Sequence, residues 1–113
     1  MPFIDSRITV KVTEEKKEIL KAKFGKAVNL IGKPESFLMV GIEDNYSLYF
    51  AGDKLEKGAY IAVSLYGSAS EGDYEKMTSA ICEILEDELE IPGNHVYVTF
   101  HSCNDWGWNG ELL

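Results

Sequence analysis

Two stretches of the chain repeat apolar residues every three or four positions and place charged residues between them. This spacing is that of one face of an α-helix. Thr13 and Ser70 precede the two stretches and are predicted N-caps, and Gly32 and Pro34 are predicted to end the first helix. The apolar positions are Leu20, Phe24, Ala27, Val28 and Ile31 in the first helix and Tyr74, Met77, Ile81, Ile84 and Leu85 in the second.

Five other segments are rich in β-branched and aromatic residues, which predicts strands. They are residues 2–10, 37–43, 46–52, 59–67 and 95–101. Asp44 and Asn45 alone separate the second segment from the third, and such a pair favours a hairpin turn. We therefore expect these two segments to form antiparallel strands.

The order strand, helix, stop and strand occurs twice, at an offset of roughly 59 residues. We interpret residues 1–113 as a single α/β (α+β) domain made of two βαβ repeats related by a pseudo-twofold axis. Right-handed crossovers place both helices on one face of a four-stranded mixed sheet, beside short hairpin and terminal strands.

The apolar residues of the strands suggest that more than one face of the sheet is apolar, although only two helices are present to cover it. The residues concerned are Ile4, Ile8, Leu38, Val40, Ile61, Val63, Val96 and Val98. An uncovered apolar face is an interaction surface. We therefore expect an oligomer that stacks sheet against sheet.

Charge and composition exclude several classes of protein. The net charge is −8, which disfavours nucleic acid as a partner because backbone binding needs clustered Lys and Arg. No apolar run approaches about 18 residues and no signal peptide precedes the first strand, so we expect a soluble, cytoplasmic protein without membrane contacts. Cys82 and Cys103 lie outside any CxxC motif and His95 and His101 have no ligand-spaced partners, so free thiols and no metal site are expected.

Pro2 has two interpretations that composition and periodicity leave open. Proline lacks a backbone N–H and suits the first residue of an edge strand. If Met1 is removed, however, the ring nitrogen of Pro2 becomes a secondary amine on a rigid ring. While Met1 is attached, that nitrogen is an amide whose delocalised lone pair cannot take a proton.

Six short motifs follow one another along the whole chain. They are Met-Pro at the start, IGKP (31–34), YFAG (49–52), SLYG (64–67), VYVTF (96–100) and WGWNG (106–110). Together they resemble the macrophage migration inhibitory factor family of the tautomerase superfamily. The resemblance implies a homotrimer with its site between subunits and a cofactor-free, metal-free keto–enol tautomerase. The implied substrates are small α-keto acids such as phenylpyruvate, or dopachrome-like compounds.

The resemblance assigns Pro2 as the general base. An unperturbed α-amine titrates at roughly 8, and apolar surroundings lower that value towards neutral pH. The candidates for an apolar wall around Pro2 are Phe3, Tyr66, Trp106 and Trp108. The two tryptophans are also candidates for lids or subunit-interface anchors. Lys33 is implied to contact a substrate carboxylate or to polarise its carbonyl, and the alternative is a cation at the C-terminus of the first helix.

Three positions in the last two long strands bear on specificity. Tyr66 stands where the family more often has an aliphatic residue that offers its backbone N–H, and Thr99 stands where well-known members have asparagine. Tyr97 matches a tyrosine that reaches the site of a neighbouring subunit, and the alternative is a strand aromatic with its hydroxyl in water.

The resemblance also implies a second class of function. Family members act as cytokine-like ligands of host immune receptors and are secreted without a signal peptide. Receptor binding is therefore the alternative to catalysis. Some members carry a CxxC motif in the third long strand, but this chain has KGAYIAV (57–63) there, so redox activity is not expected.

Overall fold

Eight strands and two helices make up the chain, which the computed structural model describes over all of residues 1–113. The strands are Pro2–Ile8 (β1), Met39–Glu43 (β2), Tyr49–Phe50 (β3), Asp53–Lys54 (β4), Ala59–Tyr66 (β5), Val96–Cys103 (β6), Gly107–Trp108 (β7) and Glu111–Leu112 (β8). The helices are Glu14–Ala27 (α1) and Glu71–Leu89 (α2). Neither has the combination of length and apolar composition needed to cross a membrane.

Both helices begin at the predicted caps. The Thr13 hydroxyl accepts the N–H of Lys16 at 3.2 Å, and the Ser70 hydroxyl accepts that of Asp73 at 3.1 Å. Each cap thereby satisfies one backbone donor that the first turn of a helix leaves unpaired. After α1 the chain tightens into a 3₁₀ turn, Val28–Ile31, and it leaves this turn at Gly32 with a φ of 73°.

The four long strands form one mixed sheet in the order β2-β1-β5-β6. β1 and β2 are parallel, β5 and β6 are parallel, and β1 and β5 are antiparallel at the centre. Each parallel pair is joined by a helix, because a parallel connection needs a crossover. The predicted pair of βαβ repeats and the four-stranded mixed sheet are therefore confirmed.

The hairpin predicted for residues 37–52 is wrong. β2 pairs with β1 in parallel, with Met39 opposite Phe3. Beyond β2 the backbone turns at Asn45, whose φ is 53°, and the N–H of Asn45 bonds the carbonyl of Val10 at 3.2 Å. The crossover through α1 thus fixes the partner of β2, and a local turn signal cannot report this long-range pairing.

A tight hairpin does form, but it lies between β3 and β4. Its two turn residues, Ala51 and Gly52, both have positive φ, at 52° and 89°. Positive φ at both central positions matches the twist of a two-residue hairpin. The YFAG motif therefore makes the turn rather than ending a strand.

The apolar strand residues lie on one face of the sheet, so the expectation of a second apolar face is wrong. All eight belong to or pack against one core between the sheet and the helices. The helix-free face instead carries polar side chains such as Asp5, Arg7, Tyr60 and Thr99. The strands obey the two-residue period, which sends alternate side chains to opposite faces.

Exposed apolar side chains are concentrated at the two ends of the sheet. Phe37, Met39 and Trp108 lie where β1 begins, and Tyr49, Phe50 and Tyr97 lie where β6 begins.

Candidate active site

An open cleft of about 810 Å³ lies at the end of the sheet where β1 begins and β5 ends. Most of its lining is apolar, as is usual for small-molecule sites. The lining residues are Met1, Pro2, Phe3, Ser36, Phe37, Leu38, Met39, Ser64, Cys103, Asp105, Trp106, Gly107 and Trp108. The cleft thus brings together four predicted site residues: Pro2, Phe3, Trp106 and Trp108.

Pro2 lies at the first position of β1, opposite Leu65, and it is buried. The strand places its ring nitrogen beside the last residues of β5. Met1 stands in front of it, and the carbonyl of Met1 accepts the backbone N–H of Tyr66 at 3.0 Å. Pro2 therefore begins a strand and lines the cleft at once, so its two interpretations are compatible.

Lys33 directly follows Gly32, where the 3₁₀ turn ends, and it is not among the lining residues of the cleft. Its backbone N–H bonds the carbonyl of Val28 at 3.1 Å, and its Nζ donates to the carbonyl of Tyr66 at 2.9 Å. The side chain thus reaches the end of β5 rather than the last carbonyls of α1. Burial, and after it the positive charge of Lys33, lower the pKa of the Met1 amino group from its ordinary value. The ammonium group of Lys33 is therefore close enough to act on the start of the chain.

The outer wall of the cleft is aromatic and comes from the C-terminal hairpin. β7 and β8 are joined by Asn109 and Gly110, both at positive φ. The ring of Trp108 meets that of Phe37 edge to face at 5.7 Å, an arrangement that aromatic pairs prefer. The N–H of Leu113 bonds the carbonyl of Trp106 at 2.9 Å and ties the chain end to this wall.

Tyr97 and Thr99 lie away from this cleft. Tyr97 faces Tyr60 near the start of β6, whereas the cleft contacts Cys103 at the end of that strand. Six residues of strand span roughly 20 Å. The Tyr97 side chain is 63% exposed, with its ring 6.0 Å from that of Phe50. One chain therefore does not unite Tyr97 with Pro2.

Thr99 takes part in a row of hydrogen bonds on the helix-free face. Its hydroxyl lies 2.9 Å from the Tyr60 hydroxyl and 2.9 Å from Nε2 of His101. The other histidine, His95, bonds the carbonyl of Lys57 through Nδ1 at 3.0 Å. The two histidines are thus held separately, and no group of three His, Cys, Asp or Glu residues is placed to hold a metal ion.

Tyr66 is not a lining residue, but its backbone bonds both Met1, which lines the cleft, and Lys33. Other lining residues were not predicted. They are Ser36, Phe37, Leu38, Met39, Ser64, Cys103 and Asp105. Phe37 had a signal in the sequence, an aromatic residue three positions after the IGKP motif. Asp105 had one as well, since it directly precedes Trp106, whereas Cys103 had none because the site is assembled from chain segments far apart in sequence.

Comparison with known proteins gives one consistent result. The family model of macrophage migration inhibitory factor (MIF) matches residues 1–113. The MIF of Xenopus tropicalis is 30% identical over 84 residues, which cover 73% of this chain and 72% of that protein. The MIF homolog of Trichinella spiralis is 26% identical over 115 residues and the full length of both chains.

Solved structures agree. Leishmania major MIF2 superposes with a TM-score of 0.93 at 30% identity, covering 100% of this chain and 97% of that one. The MIF of Toxoplasma gondii superposes with a TM-score of 0.90 at 25% identity, covering 98% and 99%. Sequence and structure together show that the chain belongs to the macrophage migration inhibitory factor family.

Proposed function

We propose that this protein is a cofactor-independent keto–enol tautomerase of small α-keto acids, with Pro2 as the general base after removal of Met1. Phenylpyruvate is the expected test substrate and dopachrome-like compounds are a second class. The observation that carries the proposal is the position of Pro2 in an apolar cleft, with the charge of Lys33 acting on the start of the chain from just outside the lining. Membership of the family supports a tautomerase-like or a cytokine-like function.

Removal of Met1 makes Pro2 chemically competent. It converts the amide nitrogen of Pro2 into a secondary amine with a free lone pair. Burial and the charge of Lys33 already lower the pKa of the amine that precedes it. We expect both effects to lower the pKa of the Pro2 amine as well, since each disfavours the ammonium form. A base with a pKa near the working pH is the most effective one.

The reaction needs one proton acceptor and one group that stabilises developing negative charge. Pro2 takes a proton from the carbon next to the ketone, the electron pair of that C–H bond forms the enolate, and the protonated Pro2 amine returns the proton to the enolate oxygen. Ketonisation of an enol runs the same steps in reverse. Lys33 supplies a positive charge for the substrate carboxylate or the ketone oxygen. Such stabilisation is among the largest contributions to catalysis. The N–H of Tyr66, which Met1 now occupies, becomes a further donor.

In this proposal the protein is a homotrimer, and Tyr97 and Thr99, the predicted residues outside the cleft of their own chain, act in that assembly. Tyr97 lies near the end of the sheet opposite the cleft of its own chain, and Thr99 lies in the middle of β6, opposite Ala62. Each end carries exposed apolar residues, Phe37, Met39 and Trp108 at one and Tyr49, Phe50 and Tyr97 at the other. Two different patches favour a head-to-tail contact, which closes into a ring. The ring would bring Tyr97 of one subunit to the cleft of the next.

A cytokine-like ligand of host immune receptors, secreted without a signal peptide, is the second candidate, since the family supports either class. The two are separable because catalysis depends on one buried amine and receptor binding on an outer surface. A direct binding assay with wild type and Pro2→Ala tests this: a receptor ligand that is not an enzyme binds equally well in both forms.

The enzyme proposal is tested with the enol form of phenylpyruvate and protein whose intact mass shows that Met1 is absent. Wild type should turn over, and Pro2→Ala should lose about 100-fold or more in kcat/KM, the scale of a general base. The matched control is Pro92→Ala, outside the cleft, which should keep full activity. Equal turnover by Pro2→Ala would overturn the assignment.

A further inference from the structure

The cleft contains a single charged side chain, Asp105. The rest of its lining is apolar or uncharged. Asp105 is exposed, and none of the six ion pairs of the chain involves it. The carboxylate is therefore not neutralised by a neighbour, and its field acts on whatever occupies the cleft.

The two charges of the site have different positions. Lys33 lies outside the lining, where its Nζ donates to the carbonyl of Tyr66 and its charge acts on the chain start. Asp105 belongs to the lining itself and directly precedes Trp106. A ligand whose carboxylate is held near the chain start has its remaining part in the cleft, whose lining includes Asp105.

No lysine or arginine side chain belongs to the lining of the cleft. The chain has one arginine, Arg7, on the helix-free face at the far end of β1. Its guanidinium donates to the Tyr46 hydroxyl at 3.2 Å and pairs with Asp5 at 3.6 Å. The one charged side chain of the lining is therefore a carboxylate, which disfavours a second negative group on a ligand.

We propose that Asp105 is a specificity-determining residue that restricts the cleft to monocarboxylates and rejects α-keto acids with a second carboxylate at their distal end. The inference rests on the proposed tautomerase function. Its physical basis is like-charge repulsion, which weakens the binding of dicarboxylates without strengthening the binding of monocarboxylates. Two like charges about 8 Å apart at a protein surface change a binding constant by roughly 3- to 30-fold.

The test compares three substrates with one framework, used as their enols: phenylpyruvate, 4-carboxyphenylpyruvate and the neutral isostere 4-carbamoylphenylpyruvate. The quantity measured is the ratio of kcat/KM for each ring-substituted compound to that for phenylpyruvate. Trimmed wild type, Asp105→Asn and the matched control Glu111→Gln are compared. Glu111 lies on the same C-terminal hairpin but outside the cleft.

We expect Asp105→Asn to raise the ratio for the carboxylated compound about 3- to 30-fold and to leave the ratio for the carbamoyl compound unchanged. Glu111→Gln should alter neither ratio. Added salt should raise the carboxylate ratio of wild type more than that of Asp105→Asn, because screening weakens exposed charges.

An unchanged carboxylate ratio in Asp105→Asn would overturn the inference, and so would equal changes for both ring-substituted compounds, since these indicate an effect of shape. Either result can be obtained only if trimmed wild type turns over phenylpyruvate. Inactive trimmed wild type would instead overturn the proposed function itself, so the two failures are distinguishable.

Discussion

The backbone N–H of Tyr66 donates to the carbonyl oxygen of Met1 at 3.0 Å. Met1, which lines the cleft, therefore covers this hydrogen-bond donor and also holds the nitrogen of Pro2 as an amide. Loss of this one residue exposes the donor and converts the Pro2 nitrogen into a secondary amine in the same event. The tautomerase proposal consequently predicts a sharp difference between chains with and without Met1.

Lys33→Gln should lower kcat/KM for phenylpyruvate about 100-fold, since it removes the cation that stabilises the enolate. It should also move the acidic limb of the pH profile to higher pH. The sign follows from the charge: Lys33 lowers the pKa of the amine at the chain start, and its loss lets that pKa rise, so the base is protonated at higher pH.

The measurement is kcat/KM against pH on trimmed protein. Lys76→Gln, at an exposed position of α2 outside the cleft, is the control and should leave the limb in place. A limb that stays fixed or moves to lower pH in Lys33→Gln contradicts the role given to Lys33.

Mixed oligomers test whether Tyr97 acts on a neighbouring subunit. Pro2→Ala and Tyr97→Ala homotrimers should each be impaired. After the two are unfolded together and refolded at equal amounts, about a quarter of the sites should combine an intact Pro2 with an intact Tyr97 from the next chain. Recovered activity near that fraction is expected, and no recovery above the average of the two parents contradicts a shared site.

Glu88 links the two helices. Its carboxylate pairs with Lys16 at 3.0 Å and also with Lys23. The hydrogen bond from Lys23, and after it that from Lys16, lower the pKa of Glu88 from the ordinary value of 4.5. A folded-state pKa below the unfolded one adds stability above pH 4.5 that is lost as the pH falls through the folded value.

Glu88→Gln should therefore unfold at lower urea concentration than wild type at pH 7, with a difference that disappears in acid. Glu86→Gln, on the same helix and without an ion pair, serves as the control and should show no such trend. A difference that persists unchanged at pH 3 would mean that charge is not the cause.

Ser6 is fully buried in the core, and its hydroxyl has no hydrogen-bond partner. An unsatisfied buried hydroxyl is unfavourable, so Ser6→Ala should raise the free energy of unfolding by about 1 kcal/mol. Urea unfolding measures this, with the exposed Ser47→Ala as control. A loss of stability in Ser6→Ala would show that the hydroxyl is satisfied in solution.

The helices, their caps and the order of the repeats could be predicted because each depends on local spacing. The partner of β2 could not, since Asp44 and Asn45 favour a hairpin locally while the α1 crossover imposes parallel pairing with β1. The expectation of a second apolar face also failed, since Val40 and Val98 pack against the same core. Which face a strand residue occupies can be seen only once the strands are in register.

The site residues also fall into some that the sequence could predict and others that it could not. Pro2, Phe3, Trp106 and Trp108 were predicted and line one cleft. Asp105 was not, although it directly precedes Trp106, because a charged residue in a terminal loop more often faces solvent. Its position depends on the C-terminal hairpin folding back over the start of β1.

The most direct test of the central claim compares two preparations of the same wild-type chain that differ only in Met1, each verified by intact mass. Turnover of the enol of phenylpyruvate is measured across pH 5 to 9, a range of about two units on each side of neutrality. The account predicts activity in the trimmed form and none in the Met1-containing form. Equal turnover by both forms would contradict the assignment of Pro2 as the catalytic base.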